Sequence, residues 1–147
     1  MKILMVCLGN ICRSPLAHGI LEHLVALNGL NWEVDSAGTG NWHIGEQPDR
    51  RSIAVAKKYG IDLSTQTCRQ FEPADFERFD RILVMDYHNL SDVKALAGKE
   101  EDHHKISLFL NDNIVPDPYH DDDLFDPVYQ MIEKRCKELI KDLAGTS

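Results

Sequence analysis

Apolar and polar positions alternate along the chain between the period of strands and the period of helices. A short apolar run at residues 3–6 has the character of a buried strand, and apolar residues recur at helical spacing over residues 16–25. An amphipathic helix is predicted over residues 128–143. Because strands alternating with helices form right-handed crossovers, the pattern predicts an α/β fold, with a four-stranded parallel sheet flanked by helices in three layers.

The remaining elements are predicted in the same way. Asn28-Gly29 and Gly60 are expected to end the first and second helices. Further strands are predicted at residues 32–37, 81–85 and 105–110, and further helices at residues 48–58, 72–76 and 90–96.

Length, charge and cysteine content limit the possible classes of protein. The 147 residues predict one domain, residues 1–147, and their net charge of −8 argues against nucleic acid as a partner. No apolar run approaches the roughly 18 residues of a membrane span, so no membrane partner is expected. The start of the chain lacks a secretory signal pattern. Four scattered cysteines are unlike a disulfide scaffold, which predicts a reducing, cytoplasmic location.

The stretch at residues 7–15, Cys-Leu-Gly-Asn-Ile-Cys-Arg-Ser-Pro, joins the first predicted strand to the first predicted helix. Ser14 is a favourable N-cap and Pro15 a favourable first helical residue. The unpaired N–H groups of a helix start and the helix dipole attract anions, and Gly9 lets the loop backbone turn inward. The sequence therefore predicts a phosphate loop directly after the first strand.

Two side chains make this anion site a reactive one. A thiol beside a helix N-terminus and a fixed positive charge loses its proton more easily, and the thiolate is the nucleophile. The planar guanidinium of Arg13 can hold two oxygens of one phosphate. A phosphate held in this loop would present its phosphorus to Cys7, which is the geometry for attack and a phosphocysteine intermediate.

Residues 7–15 closely resemble the phosphate loop of the low-molecular-weight protein tyrosine phosphatases. Residues 34–39, 48–49, 69–70 and 84–86 resemble further family segments in the family's order, and Asp117-Pro118-Tyr119 resembles the family's general-acid loop. The resemblance implies a phosphotyrosine protein as substrate, inorganic phosphate as product and activity on aryl phosphates. It makes Cys7 the nucleophile. The expected phosphate-binding residues are Leu8, Gly9, Asn10, Ile11, Cys12, Arg13 and Ser14.

The resemblance implies that Asp117 is the general acid. Cleavage of a phosphate ester needs a proton on the departing oxygen, and a carboxylic acid can supply it. Pro116 and Pro118 stiffen the turn that carries Asp117. By the resemblance, Asp117 then acts as the base toward the water that cleaves phosphocysteine.

Two aromatic residues, Trp42 and Tyr119, are expected on loops, where exposed rings often contact ligands. In the family, positions like these wall the cleft, and two facing rings would accept a phenyl group. His120 follows Tyr119 where many relatives carry a second tyrosine.

Supporting roles are expected for four further side chains. Asn10 and Ser14 can hold the loop backbone, and the Ser14 hydroxyl can stabilise the Cys7 thiolate as a leaving group. By the resemblance Ser36 joins the Asn10 network, and Asp86 follows a strand at the same sheet edge as Cys7. Gln66 stands where many relatives carry a histidine.

Cys12 suggests a redox role, because a thiolate near a second thiol can be oxidised and captured as a reversible disulfide. Cys68 and Cys136 are interpreted as structural. The runs His103-His104 and 120–123 are not expected to bind metal, and no cofactor is expected.

Two other functions are compatible with part of the pattern. An arsenate reductase shares the fold and a similar loop but needs a relay of extra cysteines, and Cys68 stands alone. A non-catalytic phosphate-binding or phosphopeptide-binding module would need neither Cys7 nor Asp117. The phosphatase hypothesis uses both.

Overall fold

The computed structural model of the protein describes residues 1–145, and its centre is a four-stranded sheet. Strands β1 (Lys2–Cys7), β2 (Glu33–Gly38), β3 (Arg81–Val84) and β4 (Ile106–Leu108) lie in the order β2-β1-β3-β4. Every neighbouring pair is parallel, which confirms the predicted fold class. The carboxyl ends of all the strands therefore lie at one edge of the sheet.

Helices cover both faces of the sheet. Strand β1 is buried on both sides: its residues Ile3 and Met5 face one apolar cluster, and Leu4 and Val6 face another. The resulting three layers match the prediction. The helices are α1 (Arg13–Leu27), α2 (Arg50–Lys58), α3 (Asp75–Arg78), α4 (Tyr87–Leu96), α5 (Glu100–Lys105) and α6 (Phe125–Leu143), with a 3₁₀ turn at Asp122–Leu124.

Two predicted helix starts are wrong. Ser14 does not cap α1: Cys12 occupies the N-cap position without a side-chain cap, and Ser14 lies inside the helix. Helix α2 begins at Arg50 rather than at Pro48, because the carboxylate of Asp49 accepts a hydrogen bond from the Arg51 N–H and caps the helix there.

The predicted helix ends are confirmed. Helix α1 is followed by Gly29 with φ of 63°, and α2 by Gly60 with φ of 85°. Both glycines adopt the left-handed backbone that ends a helix. The short helix predicted at residues 72–76 lies slightly later, as α3, and α5 has no counterpart among the predicted elements.

Within residues 1–145, no helix is both long enough and apolar enough to cross a membrane.

Candidate active site

The loop between β1 and α1 is held from behind by the end of β2. The N–H of Thr39 donates to the carbonyl of Cys7 at 2.9 Å, and the N–H of Gly40 donates to that of Leu8 at 2.8 Å. A Cβ on Gly38 would lie 2.8 Å from the Leu8 oxygen and 2.9 Å from the Asn10 nitrogen. Only a glycine lets the two backbones approach this closely.

Cys7 ends β1 and is an almost fully buried residue, 3 % exposed. Its Sγ lies 3.0 Å from the Ser14 Oγ, which also accepts a hydrogen bond from the Asn10 Nδ2 at 2.9 Å. A hydroxyl has one proton to donate, and the alternative acceptor, the Ala37 carbonyl, is 3.5 Å away. The geometry therefore favours donation from Ser14 to the sulfur, as its expected role in stabilising a thiolate requires.

Asn10 fixes the middle of the loop. It has a left-handed backbone, with φ of 57°, which asparagine tolerates better than most residues. Its side-chain oxygen accepts from the Arg69 N–H at 3.0 Å, and its carbonyl accepts from the Cys68 thiol at 2.9 Å. Burial, followed by the charge of Cys7, raises the pKa of Cys68 to about 11, so Cys68 remains a thiol donor at neutral pH.

Arg13 is anchored from below. Its Nη1 donates to the Asp86 Oδ2 at 2.7 Å and to the Val115 carbonyl at 3.0 Å. Burial opposes the charge, but Cys7, Asp86 and Asp117 outweigh it and raise the pKa of Arg13.

Asp86 links Arg13 to α4, because its other oxygen caps that helix through the Asn89 N–H at 2.8 Å. Burial of Asp86 is likewise outweighed, here by the Asn89 N–H and Arg13, so the pKa of Asp86 is lowered. A charged carboxylate thus fixes the guanidinium beside the phosphate loop.

Asp117 approaches the same guanidinium from a different loop. Its Oδ2 lies 3.9 Å from the Arg13 Nη2, and its Oδ1 accepts from the Tyr119 N–H at 3.1 Å. The Asp117 side chain is 44 % exposed, whereas Arg13 is buried. The carboxyl group can therefore face a ligand that enters from solvent.

Cys7, Arg13 and Asp117 all line one cavity of about 300 Å³. Trp42, 65 % exposed, and Tyr119, 41 % exposed, lie at its rim. The Trp42 ring lies so close to Gly40 that an added Cβ there would be 1.8 Å from it. The cavity is lined by Cys7, Leu8, Gly9, Ile11, Cys12, Arg13, Trp42, His43, Asp117, Tyr119 and His120.

Some expected site residues lie outside this cavity. Asn10 and Ser14 hold the loop from within rather than line the cavity. Ser36 does not join the Asn10 network in the described contacts: its hydroxyl lies 3.0 Å from the His18 Nδ1. Gln66 donates to the Pro15 carbonyl at 3.1 Å, and its Oε1 has no partner among the described residues.

Sequence reasoning missed several contributors. His43 lines the cavity, and its neighbour Trp42 was the only available signal. The carbonyl of Val115 and the N–H of Arg69 act through their backbones, which no residue type reveals. Among residues 1–145, no group of three or more His, Cys, Asp or Glu side chains is placed to hold a metal ion.

The family model for the low molecular weight phosphotyrosine protein phosphatases matches residues 2–146. A low molecular weight protein-tyrosine-phosphatase of Bacillus subtilis, YfkJ, is 38 % identical over 97 % of this chain and 95 % of its own length. A protein tyrosine phosphatase structure from Entamoeba histolytica superposes with a TM-score of 0.93, at 34 % identity, over 99 % of this chain and 97 % of that one.

A third similar protein carries a different name. The crystal structure of the drosophila arginine phosphatase superposes with a TM-score of 0.90 and 34 % identity, covering 97 % of this chain and 98 % of that one.

The chain belongs to the low molecular weight phosphotyrosine protein phosphatase family, as the resemblance of residues 7–15 and 117–119 implied. It is thus an enzyme of the phosphoric monoester hydrolase class rather than a non-catalytic binding module.

Proposed function

We propose that the enzyme removes phosphate from protein phosphotyrosine through a covalent phosphocysteine. The Cys7 thiolate attacks phosphorus, an S–P bond forms, and the P–O bond breaks with its electron pair going to the phenolic oxygen. Protonated Asp117 donates its proton to that oxygen. Arg13 and the N–H groups of the phosphate loop stabilise the charge on the other phosphate oxygens.

The second step releases the product. Water attacks the phosphorus and gives a proton to the Asp117 carboxylate, while the S–P bond breaks and its electron pair returns to Cys7. Ser14 donates a hydrogen bond to the leaving sulfur. Inorganic phosphate departs and Asp117 is protonated again. This reaction uses no metal ion or cofactor, because Arg13 supplies positive charge and the loop amides donate hydrogen bonds to the phosphate oxygens.

The observation that carries this proposal is the meeting of three groups in one cavity. Cys7, Arg13 and Asp117 come from two loops about a hundred residues apart, yet all three line it, and Arg13 and Asp117 lie 3.9 Å apart. A nucleophile, an anion-binding group and an acid in one cavity are together a stronger indication of phosphoryl transfer than any one of them alone.

Phosphotyrosine is the favoured substrate because of the apolar and aromatic residues that line the cavity. Leu8, Ile11, Trp42 and Tyr119 surround the cavity with apolar and aromatic surface that suits a phenyl ring. Phosphoarginine is the second candidate, favoured by the similarity to the drosophila arginine phosphatase. A phosphoserine side chain is shorter than phosphotyrosine, so we expect its phosphate to stop short of the Cys7 thiol.

The test is hydrolysis of matched phosphotyrosine, phosphoarginine and phosphoserine peptides without added metal. We expect the phosphotyrosine peptide to have the highest kcat/KM. Cys7→Ser should abolish turnover, and Asp117→Asn should reduce it by about 10²–10⁴-fold, the usual contribution of acid–base catalysis. Activity that survives Cys7→Ser would overturn the mechanism. Preference for phosphoarginine would change the substrate, and arsenate-dependent oxidation of a thiol reductant would favour the arsenate reductase alternative.

We also propose that residues 1–147 form one phosphatase domain that works in a reducing, cytoplasmic environment. Strand β1 contributes to both apolar clusters, which supports one folding unit. All four cysteines are free, in keeping with a reducing compartment.

Reversible oxidation at the site is a further part of this proposal. Peroxide would convert the Cys7 thiolate to a sulfenic acid, and Cys12 would displace water from it to form a disulfide, which cellular thiols reduce. Cys12 lines the same cavity as Cys7. Burial, with the charges of Asp49 and Cys7, raises the pKa of Cys12, so we expect capture to be slow. Mass mapping after mild peroxide treatment tests this, and absence of a Cys7–Cys12 crosslink would exclude it.

A further inference from the structure

The start of α2 contacts the second half of the loop at residues 7–13. The Asp49 N–H donates to the Ile11 carbonyl at 2.8 Å. The hydroxyl of Ser52 lies 3.5 Å from the Cys12 carbonyl, which makes a second, longer contact. The start of α2 is therefore fixed relative to the loop that carries Cys7 and Arg13.

Arg51, between these two residues, extends from the same turn to the loop that carries Asp117 and Tyr119, called the acid loop below. Its Nε and Nη2 donate to both carboxylate oxygens of Asp49, at 3.0 and 2.9 Å. Its Nη1 donates to the Tyr119 carbonyl at 2.9 Å and to the Asp122 carboxylate at 2.6 Å. The guanidinium carbon also lies 4.6 Å from the centre of the Phe125 ring and 5.3 Å from that of Tyr119. All three guanidinium nitrogens are engaged, so its orientation is fixed.

Tyr119 connects this guanidinium to the proposed general acid. Its carbonyl accepts from Arg51, while its own N–H donates to the Asp117 Oδ1 at 3.1 Å. The second oxygen, Oδ2, is the one that faces Arg13 in the cavity. Arg51 itself does not line the cavity. Its contacts therefore reach the reaction through the residues that it holds.

We propose that Arg51 is a positioning residue, which sets the place of the Asp117 carboxyl group relative to the phosphate loop by clamping the Tyr119 backbone to the start of α2. This inference rests on the proposed role of Asp117 as general acid. Asp117 is half exposed and lies in a surface loop, so its position depends on such a clamp. A displacement of about 1 Å at a reacting group can cost a factor of about 10² in rate.

The test compares two substrates that need the acid to different extents. Phenol is a poor leaving group, with a pKa of about 10, so phenyl phosphate depends strongly on proton donation. The nitrophenolate of p-nitrophenyl phosphate leaves more easily and depends on it less. The ratio of kcat/KM for the two substrates, measured on one enzyme sample, is independent of the fraction of enzyme that is folded.

We expect Arg51→Met to reduce kcat/KM for phenyl phosphate by about 10–100-fold and for p-nitrophenyl phosphate by about threefold or less. Arg50→Met is the matched control, because Arg50 is exposed on the same turn and makes none of these contacts. It should leave the ratio unchanged. In an Asp117→Asn background, Arg51→Met should have no further effect on the ratio, because the group that Arg51 positions is no longer an acid.

Each result has a distinct meaning. If Asp117→Asn leaves the ratio at its parent value, the proposed general acid is wrong and the inference falls with it. If Asp117→Asn changes the ratio but Arg51→Met does not, only the positioning role is overturned. The role is also overturned if the effects of Arg51→Met and Asp117→Asn on the ratio simply multiply in the double variant, as independent structural damage would predict.

Discussion

Replacing Ser14 by alanine tests the hydrogen bond on which the second half of the proposed reaction depends. The Ser14 hydroxyl lies 3.0 Å from the Cys7 sulfur, and it accepts from Asn10 while its own proton remains free for the sulfur. In the proposed reaction, negative charge develops on that sulfur when phosphocysteine is cleaved. Ser14→Ala removes the donor that stabilises this charge.

The size of the effect follows from the kind of bond lost. A hydrogen bond to a charged group contributes about 1.5–3 kcal/mol, and each 1.36 kcal/mol of barrier is about a factor of ten in rate. We therefore expect cleavage of phosphocysteine to slow by about 10–150-fold. The variant also leaves the buried Asn10 amide without its acceptor, which should lower the free energy of unfolding by about 1–3 kcal/mol.

Stopped-flow release of p-nitrophenol separates the two chemical steps. Ser14→Ala should show a rapid first release followed by a slower steady state than the parent, because phosphocysteine accumulates. Ser52→Ala is the matched control, since Ser52 is also fully buried but its contact is long and does not involve Cys7. A Ser14→Ala enzyme with the steady-state rate of the parent would refute the assigned role of the hydroxyl.

Three further predictions concern Gly38, Asp86 and Cys12. Gly38→Ala should lower the free energy of unfolding in urea by about 1–3 kcal/mol, because its Cβ would meet backbone atoms of the phosphate loop at 2.8–2.9 Å; an unchanged midpoint would contradict this. Burial opposes ionisation of Asp86, but its hydrogen bonds, including that from Arg13, hold its pKa below the ordinary 3.8, so it stabilises the fold above about pH 4 and that contribution is lost as the pH falls through the folded-state pKa. Asp86→Asn should flatten the acid side of the stability profile, and an equally steep profile would count against the pair. Iodoacetamide at neutral pH should label Cys7 before Cys12, because burial is the main cause that raises the pKa of Cys12. Peptide mapping that finds Cys12 labelled first would be inconsistent with this.

The parts of the site that one short stretch determines were accessible from the sequence. Residues 7–15 contain the strand end, the turn and the helix start together, so Cys7 and Arg13 could be placed by local rules. Asp117 was assigned by resemblance alone, because its meeting with Arg13 spans about a hundred residues of chain. The register of the sheet, which sets Gly38 behind the loop, has no local signal either.

The errors have different physical causes. Ser14 has the chemistry of an N-cap, yet Cys7 and Asn10 use its hydroxyl instead. Ser36 was placed with Asn10 by analogy, but His18 on α1 reaches it. Helix α5, residues 100–105, has no buried residue and so gave no apolar period to detect.

The contacts of Arg51 could not be predicted from the sequence, because they join distant parts of the chain. Two of its hydrogen-bond partners, Tyr119 and Asp122, lie about seventy residues further along the chain. An arginine near a helix start is ordinary in composition, and only the packing of α2 beside the acid loop shows what it holds.

The parallel sheet also has a practical consequence for handling the enzyme. Every strand starts at the edge remote from Cys7, and Met1 lies there, with its carbonyl accepting the Glu33 N–H at 2.9 Å. Six residues of β1 separate the two edges by about 20 Å. A tether or fusion partner attached at Met1 would therefore lie on the side of the molecule opposite the candidate active site. Immobilised enzyme would keep that cavity accessible to large phosphoproteins in solution.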